Sequence, residues 1–365
     1  MESSTGNIRF IQACMMHMLM TGLTTHVIIN PMLLDASGRD AWIAVLCAGV
    51  LYMPWCALLA FIMKRAGQQK LQIWLAQQTN PFLSWLLVIP LCLQLYLIGA
   101  MTMFHTTAWT ITNYLPTTPL IALVIPLAGV CFLFAISGIR AIAIGSGFLL
   151  PLVVLLGYFV SISNAPAKDY QQLKPFLEHG PSPVVAGMVY AGSGFTELIV
   201  MLGIQHRLKT KVKPWKLMTL GAILVYITLG PIIGAITEFG PKEAAKQNIS
   251  PYEQWRLVEI GDYVEHLDFF SIYQWQAGAC IRISLSLYIL AEILPFRTRK
   301  ARLWGITILM LSYMAMTFIP VNEYSFYLFQ YGFYFPAKLA VVLSMTALWA
   351  AVALFTKSRK EADLA

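Results

Sequence analysis

Apolar stretches of about 20 residues, long enough to span a membrane as one helix, alternate along the chain with short polar connections. Windows of about 19 residues divide the sequence into ten such stretches. They cover residues 8–29, 41–63, 82–108, 119–137, 141–162, 183–204, 217–239, 269–293, 303–319 and 333–355. The pattern predicts an all-α integral membrane protein with ten transmembrane helices in a single membrane domain over residues 1–365. The first stretch lacks a cleavage site after a compact apolar core, so we expect it to remain in the mature protein.

The composition excludes a water-soluble fold. Hydrophobic residues make up 58% of the chain and charged residues only 12%, with a mean hydropathy of +0.67, whereas a soluble domain carries about 25% charged residues. The net charge of +8 comes from basic clusters between apolar stretches, which indicate a cytoplasmic membrane face and not a nucleic-acid partner. The six cysteines fall inside apolar stretches without the spacing of a metal site. No metal and no cofactor are predicted.

The distribution of Lys and Arg predicts the orientation. Seventeen of them lie in or beside the segments of one side of the membrane, and six lie on the other side. By the positive-inside rule both termini are expected in the cytoplasm. The long outer connection, residues 240–268, carries six acidic residues, and Tyr252, Trp255, Val258 and Ile260 recur near helical spacing after Ser250-Pro251. We expect this segment to be partly helical, either as a cap over the outer end of the bundle or as a solvated connector.

Two sets of five spans suggest an internal repeat. Because five is odd, residues 183–355 begin on the opposite side of the membrane from residues 8–162, which predicts a 5+5 inverted repeat. The first span of each half has a polar, glycine-containing centre, at residues 21–26 and 190–197. Such stretches can unwind and offer backbone groups to a polar ligand, so we predict broken helices 1 and 6. Close helix packing through small residues is the alternative.

Charged residues at membrane depth are the strongest chemical signal. Burying an unpaired charge there costs at least about 3 kcal/mol, so Glu197, Arg282 and Lys338 should face the bundle and find partners. We expect Glu197 to pair with Arg282 or Lys338, either as a structural ion pair or as part of an ion path; Lys338 and Glu292 lie within a few turns of span ends and could instead reach water. The sequence has no His-Glu-x-x-His or Gly-x-Ser-x-Gly pattern, so no enzyme activity is predicted.

Several segments resemble the B subunits of nutrient germinant receptors, the spore germination permeases of endospore-forming bacteria. The resemblance covers nearly the whole chain, and five segments carry it: residues 21–31, 40–43, 114–119, 192–197 and 292–296. It implies a fold of the amino acid, polyamine and organocation superfamily, with a germinant bound between helices 1, 3, 6 and 8. The predicted ligand-binding residues are Thr21, Gly22 and Leu23 at the first break, Gly192, Ser193 and Gly194 at the second, Tyr96 and Ala100 in span three, and Ser284 and Tyr288 in span eight.

The resemblance also implies a function and its setting. The protein is expected to be the ligand-sensing subunit of a receptor in the spore inner membrane, beside a membrane-bound A subunit and a lipoprotein C subunit. A small germinant, expected to be an amino acid, would bind in the mid-membrane pocket and trigger ion release and germination. An amino-acid/cation symporter of the same fold needs the same pocket and is the alternative. The lipid bilayer is a partner in either case.

Overall fold

A computed structural model describes residues 7–259 and 266–355. Within these residues the main helices are α1 (Phe10–Leu23), α2 (Ala41–Ala66), α3 (Pro81–Asn113), α4 (Leu120–Ser137), α5 (Ile139–Ser163), α6 (Ser182–Phe195), α7 (Pro214–Phe239), α8 (Phe270–Ile293), α9 (Arg299–Thr317) and α10 (Phe335–Phe355). A short helix, Glu323–Phe329, and a π turn, Gln330–Tyr334, lead into α10. The predicted helical position Ile260 lies outside the described residues.

Eight helical stretches of the described chain are long and apolar enough to cross a membrane. The chain is therefore a multi-pass helical membrane protein, while the count of ten spans in a 5+5 repeat stays a prediction. Two predicted spans are not among the eight. The α-helical part of α1 ends after 14 residues, and the first turn of α9 carries basic residues that reduce its hydropathy.

Local sequence signals set the helix boundaries. The Asn80 side chain accepts a hydrogen bond from the Leu83 N–H at 2.8 Å, and Pro81 occupies the first position of α3, where a missing N–H costs nothing. Thr298 caps α9 in the same way through Ala301. At the end of α2, Gly67 has a φ of +61°, a left-handed conformation that glycine adopts without strain.

The centre of the bundle is formed by α1, α6 and α8. In the most apolar 18-residue parts of Leu267–Ile293, which contains α8, and of Ser182–Arg207, which begins with α6, 89% and 72% of residues are buried. The value is 22% in α4, which leaves α4 on the lipid-facing side. Helix α8 packs against α3, α1 and α5, while α2 packs against α6 and α7. Residues on α6 and α8 therefore meet other helices, and not lipid, around most of their circumference.

Segments that their charge assigns to the same side of the membrane contact each other. On the predicted cytoplasmic side, the Ile8 N–H donates to Arg207 O at 2.9 Å and the Lys209 N–H donates to Ile8 O at 3.0 Å. On the predicted outer side, Arg39 pairs with Glu178 at 2.6 Å. Each of these contacts joins two connections that the predicted topology places on the same side of the membrane.

The outer segment packs onto the bundle as a cap. Within it, Pro241–Ala244 and Ser250–Arg256 are helical. The Ser250 hydroxyl donates to Asn30 Oδ1 at 3.2 Å, and the Trp255 indole donates to Gln274 Oε1 at 2.7 Å. Both Ser250 and Trp255 are buried, so the helix Ser250–Arg256 covers the end of the bundle that the charge distribution predicts to be the outer one, and it is not a solvated connector.

Aromatic residues fill the space beneath this cap. Trp109 and Trp275 stack with ring centroids 4.1 Å apart, and Tyr252 meets Trp109 edge-on. The Tyr114 hydroxyl donates to Asp268 O at 2.8 Å. Burial raises the pKa of Tyr114 and Tyr252, so both hydroxyls stay neutral at physiological pH.

Two glycines allow helices to approach closely. A Cβ on Gly99 would lie 2.5 Å from the ring of Tyr313, and one on Gly194 would lie 2.8 Å from Ile29 Cδ1 and 2.9 Å from Thr25 Cγ2. All three distances are shorter than a van der Waals contact. Close packing, the alternative interpretation of the small residues, therefore holds for Gly194.

We expect Gly99→Ala to destabilise the protein by about 1–3 kcal/mol, the usual cost of overpacking, because the Tyr313 ring is held between helices. Thermal unfolding in detergent micelles would measure the effect. Gly129→Ala in α4 is the matched control, since a Cβ there meets no atom within 4 Å. Equal stabilities of the two variants would contradict the prediction.

Candidate functional site

The predicted interruptions of helices 1 and 6 take the form of altered helical turns. After α1, Thr24–Ile28 form a π turn before the helix Asn30–Ser37, and after α6, Thr196–Ile199 form a 3₁₀ turn before Val200–Ile204. The predicted unwound backbone is thus corrected to non-α helix, starting two residues after Gly22 and Gly194. Tertiary packing holds these turns, and π turns inside helices occur frequently at functional sites.

A buried ion cluster lies where the two altered turns meet. Glu197, in the 3₁₀ turn, accepts from Arg282 Nη1 at 2.5 Å and Nη2 at 2.7 Å, and from Lys338 Nζ at 2.7 Å. Thr24, in the π turn, donates to Glu197 Oε2 at 3.0 Å. Glu197 thus pairs with both of its predicted partners. Arg282 binds it in the bidentate geometry that gives carboxylate–guanidinium pairs their strength.

Arg282 connects four helical segments. Its Nε donates to Thr102 Oγ1 of α3 at 2.7 Å, and its Nη1 donates to Met20 O of α1 at 2.9 Å and also to Thr24 Oγ1. Together with the pair to Glu197, these bonds use donors on all three guanidinium nitrogens. Each guanidinium nitrogen of Arg282 therefore has at least one protein partner.

With Glu197, Arg282 and Lys338 in their ordinary ionised forms, the cluster carries one positive charge in excess. Their side chains are 0%, 4% and 2% exposed, so solvent screens this charge little. An ammonium group carries three donors. Within the described residues, the contact to Glu197 is the single hydrogen bond that Lys338 makes, and the Phe335 ring lies 5.4 Å from its Nζ.

Four hydroxyl groups near the cluster are buried without a hydrogen-bond partner in the part of the chain that the structure describes: Thr21, Thr25, Ser193 and Ser286. Ser193 lies four residues before Glu197 and Ser286 lies four after Arg282, so helical periodicity places each on the same face as its charged neighbour. Buried polar groups are normally satisfied. This surplus of polar groups is typical of a site that accommodates water or a small polar ligand.

Of the predicted residues at the first and second breaks, Thr21 and Ser193 flank the cluster. A Cβ on Gly22 would lie 3.7 Å from Ile227 of α7, and one on Gly192 would lie 3.4 Å from Leu339 of α10. A Cβ on Gly278 of α8 would lie 3.0 Å from the Leu23 side chain. These three residues take part in helix packing.

The structure does not bring the predicted residues of spans three and eight to the cluster. The Tyr96 hydroxyl donates to Ser312 of α9 at 3.1 Å, Ala100 packs among α4, α8 and α9, Ser284 donates to Cys280 O at 2.6 Å, and the Tyr288 ring faces the Arg302 guanidinium at 5.2 Å. Helix register explains the difference. Residues two apart on a helix point about 200° apart, so Ser284 cannot share a face with Arg282.

Sequence reasoning missed Thr24, Thr102 and the Met20 carbonyl. A buried guanidinium has five donors to satisfy, and this demand is the signal that could have directed attention to threonines at the same membrane depth. Among the described residues, no three His, Cys, Asp or Glu side chains come together as in a metal site.

Two cavities lie away from the cluster. One of about 260 Å³ is bordered by α3, by the end of α9 and by the residues that lead into Glu323–Phe329. The other, of about 220 Å³, lies at the predicted cytoplasmic end beside Lys70 and Glu292. Neither is lined by Glu197, Arg282 or Lys338.

The fold and the central cluster define a multi-pass membrane protein with a charged polar centre. The sequence profile of the spore germination protein family matches residues 7–325, and the chain belongs to this family. It is 40% identical over 355 residues to spore germination protein XB of Bacillus anthracis, which covers 97% of this chain and 100% of that protein. It is 24% identical over 274 residues to the putative spore germination protein YfkT of Bacillus subtilis (strain 168), with 74% of each chain covered.

Proposed function

We propose that this protein is the ligand-sensing membrane subunit of a nutrient germinant receptor, and that a small germinant with a carboxylate group, such as an amino acid, binds at the Glu197 cluster. The pairing of one buried carboxylate with two buried basic side chains is the observation that carries the proposal. Lys338 makes one hydrogen bond among the described residues, and the hydroxyl groups of Thr25, next to Thr24, and of Ser193, four residues before Glu197, have no partner there. A carboxylate would neutralise the charge, and an amino group would find hydroxyl acceptors.

Ligand binding would act through the helices that the cluster connects. The cluster joins α8, which carries Arg282, and α10, which carries Lys338, to the two altered turns. Thr24 lies in the turn after α1, and Glu197 lies in the turn after α6. A ligand shifts a conformational equilibrium only by its difference in affinity between two arrangements. An added anion at Lys338 provides such a difference because it competes with Glu197 for the same donors.

The setting of this signal is part of the proposal. In it, the chain lies in the spore inner membrane with both termini in the cytoplasm, beside a membrane-bound A subunit and a lipoprotein C subunit. Ion release would follow ligand binding. The packing of Ser250–Arg256 over the bundle supports a ligand path from the outer side, and in this proposal the segment controls access to that path.

Binding and uptake assays in proteoliposomes that contain this chain alone test the proposal. We expect saturable binding of one or more radiolabelled common amino acids, displaced by the unlabelled compound, with no accumulation inside the vesicles under a sodium or proton gradient. Gradient-driven accumulation would overturn the sensor function in favour of an amino-acid/cation symporter. Liposomes without protein and vesicles with the Lys338→Met variant are the controls.

A further inference from the structure

A second charge cluster surrounds Glu292 at the predicted cytoplasmic end. Its carboxylate, 2% exposed, contacts Arg302 Nη1 at 2.6 Å, Arg207 Nη2 at 3.1 Å, and Lys70 Nζ and His206 Nε2 at 3.2 Å each. Three permanently charged basic groups thus share one carboxylate. The cluster carries a positive excess even with His206 neutral.

A cavity of about 220 Å³ opens beside this cluster and is lined by Lys70, His206 and Glu292. This volume is several times the roughly 30 Å³ that one water occupies in the liquid. His206 is 10% exposed, and its Nδ1 has no hydrogen-bond partner among the residues that the structure covers. With a second proton, the ring would donate from Nδ1 to an acceptor in the cavity.

The N-terminus of a helix also borders the cavity. Leu71, Gln72 and Ile73 form the first turn of the helix Leu71–Gln78 and line the cavity. No side chain caps this turn, and the first bond of the helix runs from the Trp74 N–H to Lys70 O. Free N–H groups and positive partial charge at such a terminus favour an anion, and phosphate above all.

We infer that this cavity is a binding site for a phosphate group, held by Lys70, by His206 and by the N-terminal turn of Leu71–Gln78. The Arg302 and Arg207 guanidinium groups, which pair with Glu292, add positive charge beside it. Residues 293–296 give the cavity an apolar part, which suits a phosphate that carries an apolar substituent. Glu292 competes with the phosphate for the basic side chains. This site is separate from the Glu197 cluster and does not depend on the function proposed for it.

The test measures how a phosphate probe raises the unfolding temperature of the full-length protein in a neutral maltoside detergent. A ligand that binds the folded state alone stabilises it by an amount that rises with the logarithm of one plus its concentration over Kd. The probes are inorganic phosphate, short-chain phosphatidylglycerol and, as the neutral match, short-chain diacylglycerol. A response to phosphatidylglycerol alone assigns the site to a lipid headgroup, and a response to inorganic phosphate assigns it to a free phosphate compound; both results support the proposal.

Four variants make the test specific. Lys70→Gln should weaken phosphate binding by about tenfold or more, the usual loss for a charged hydrogen-bond donor. Arg302→Gln, which removes a positive charge beside the cavity, should weaken it less. Lys300→Gln, which removes the same charge from an exposed neighbouring position, should leave Kd unchanged. Glu292→Gln should tighten binding because it removes the competing carboxylate. If the cluster were purely structural, Lys70→Gln and Glu292→Gln would not change the phosphate Kd in opposite directions.

Three results would overturn the inference. The first is the absence of any stabilisation by both phosphate probes. The second is an equal loss of binding in Lys70→Gln and Lys300→Gln, a comparison that decides the question even where Glu292→Gln does not fold. The third is stabilisation by a poly-glutamate peptide without a response to phosphate, which would assign the surface to a protein partner.

Discussion

Glu197→Gln is expected to destabilise the protein by about 3–5 kcal/mol, the cost of removing one member of a buried ion pair. Glutamine keeps the size of the side chain and removes its charge. Arg282 and Lys338 would then lie within a few ångströms of the same neutral amide, both buried and both without a counter-charge. Their repulsion and desolvation produce the loss, because the surrounding hydrogen bonds to Thr102 and Met20 do not neutralise a cation.

Unfolding of the purified protein in mixed micelles would measure this effect. Glu243→Gln is the matched control: Glu243 pairs with Lys246 at the surface, with side chains 64% and 71% exposed, and surface pairs contribute about 0–1 kcal/mol. Thr24→Val, which removes one hydroxyl from the cluster, should cost about 1–1.5 kcal/mol. A stability of Glu197→Gln equal to that of Glu243→Gln would show that Glu197 does not balance these cations.

The pairing of Glu197 could be predicted from the sequence because the cost of isolated charge in a membrane does not depend on the details of the fold. The membrane class follows from apolar stretches in the same way. The break positions could be placed only approximately: Gly22 and Gly194 mark the region, but Thr24 and Thr196 begin the altered turns. Helix propensity alone does not determine whether the helix unwinds at such a point or whether its backbone groups form π and 3₁₀ hydrogen bonds instead.

The rotation of each helix about its own axis could not be predicted from the sequence. A residue's face depends on rotation about the helix axis, and an error of two positions turns it away from its target by about 200°. Ser284 and Tyr288 therefore lie on other faces of α8 than Arg282, which contacts α1 and the turn after α6, and their part in a ligand pocket stays a prediction. In a buried helix such as α8, apolar residues occur on all sides, so hydrophobic periodicity does not report its orientation.

The two charge clusters differ in exposure and therefore in the ligand each suits. At Glu197 all three charged side chains are at most 4% exposed, so a ligand must lose nearly all its hydration. At Glu292 the basic side chains are 22–35% exposed, so a phosphate there keeps part of its water. A small carboxylate, with a lower charge, fits the first site better than a phosphate does.

Lys338→Met is expected to abolish the nutrient response while the protein stays folded and inserted. Methionine retains the apolar length of lysine, and Glu197 and Arg282 remain as a bidentate pair without net charge. Removing Lys338 therefore costs far less stability than Glu197→Gln does. It also deletes the positive charge that we propose for the ligand carboxylate, a contact whose loss costs about 2–5 kcal/mol of binding free energy when buried.

Two assays would separate these effects: binding of radiolabelled amino acid in proteoliposomes, and the loss of optical density of spores that carry the variant after nutrient is added. Immunoblots of spore membranes would verify that the amount of protein is unchanged. Lys338→Arg keeps the charge and should retain part of the response, while Lys300→Met removes an exposed charge and should retain all of it. A normal dose response in Lys338→Met would contradict the central site, because the remaining pair of Glu197 and Arg282 has no charge to offer a carboxylate.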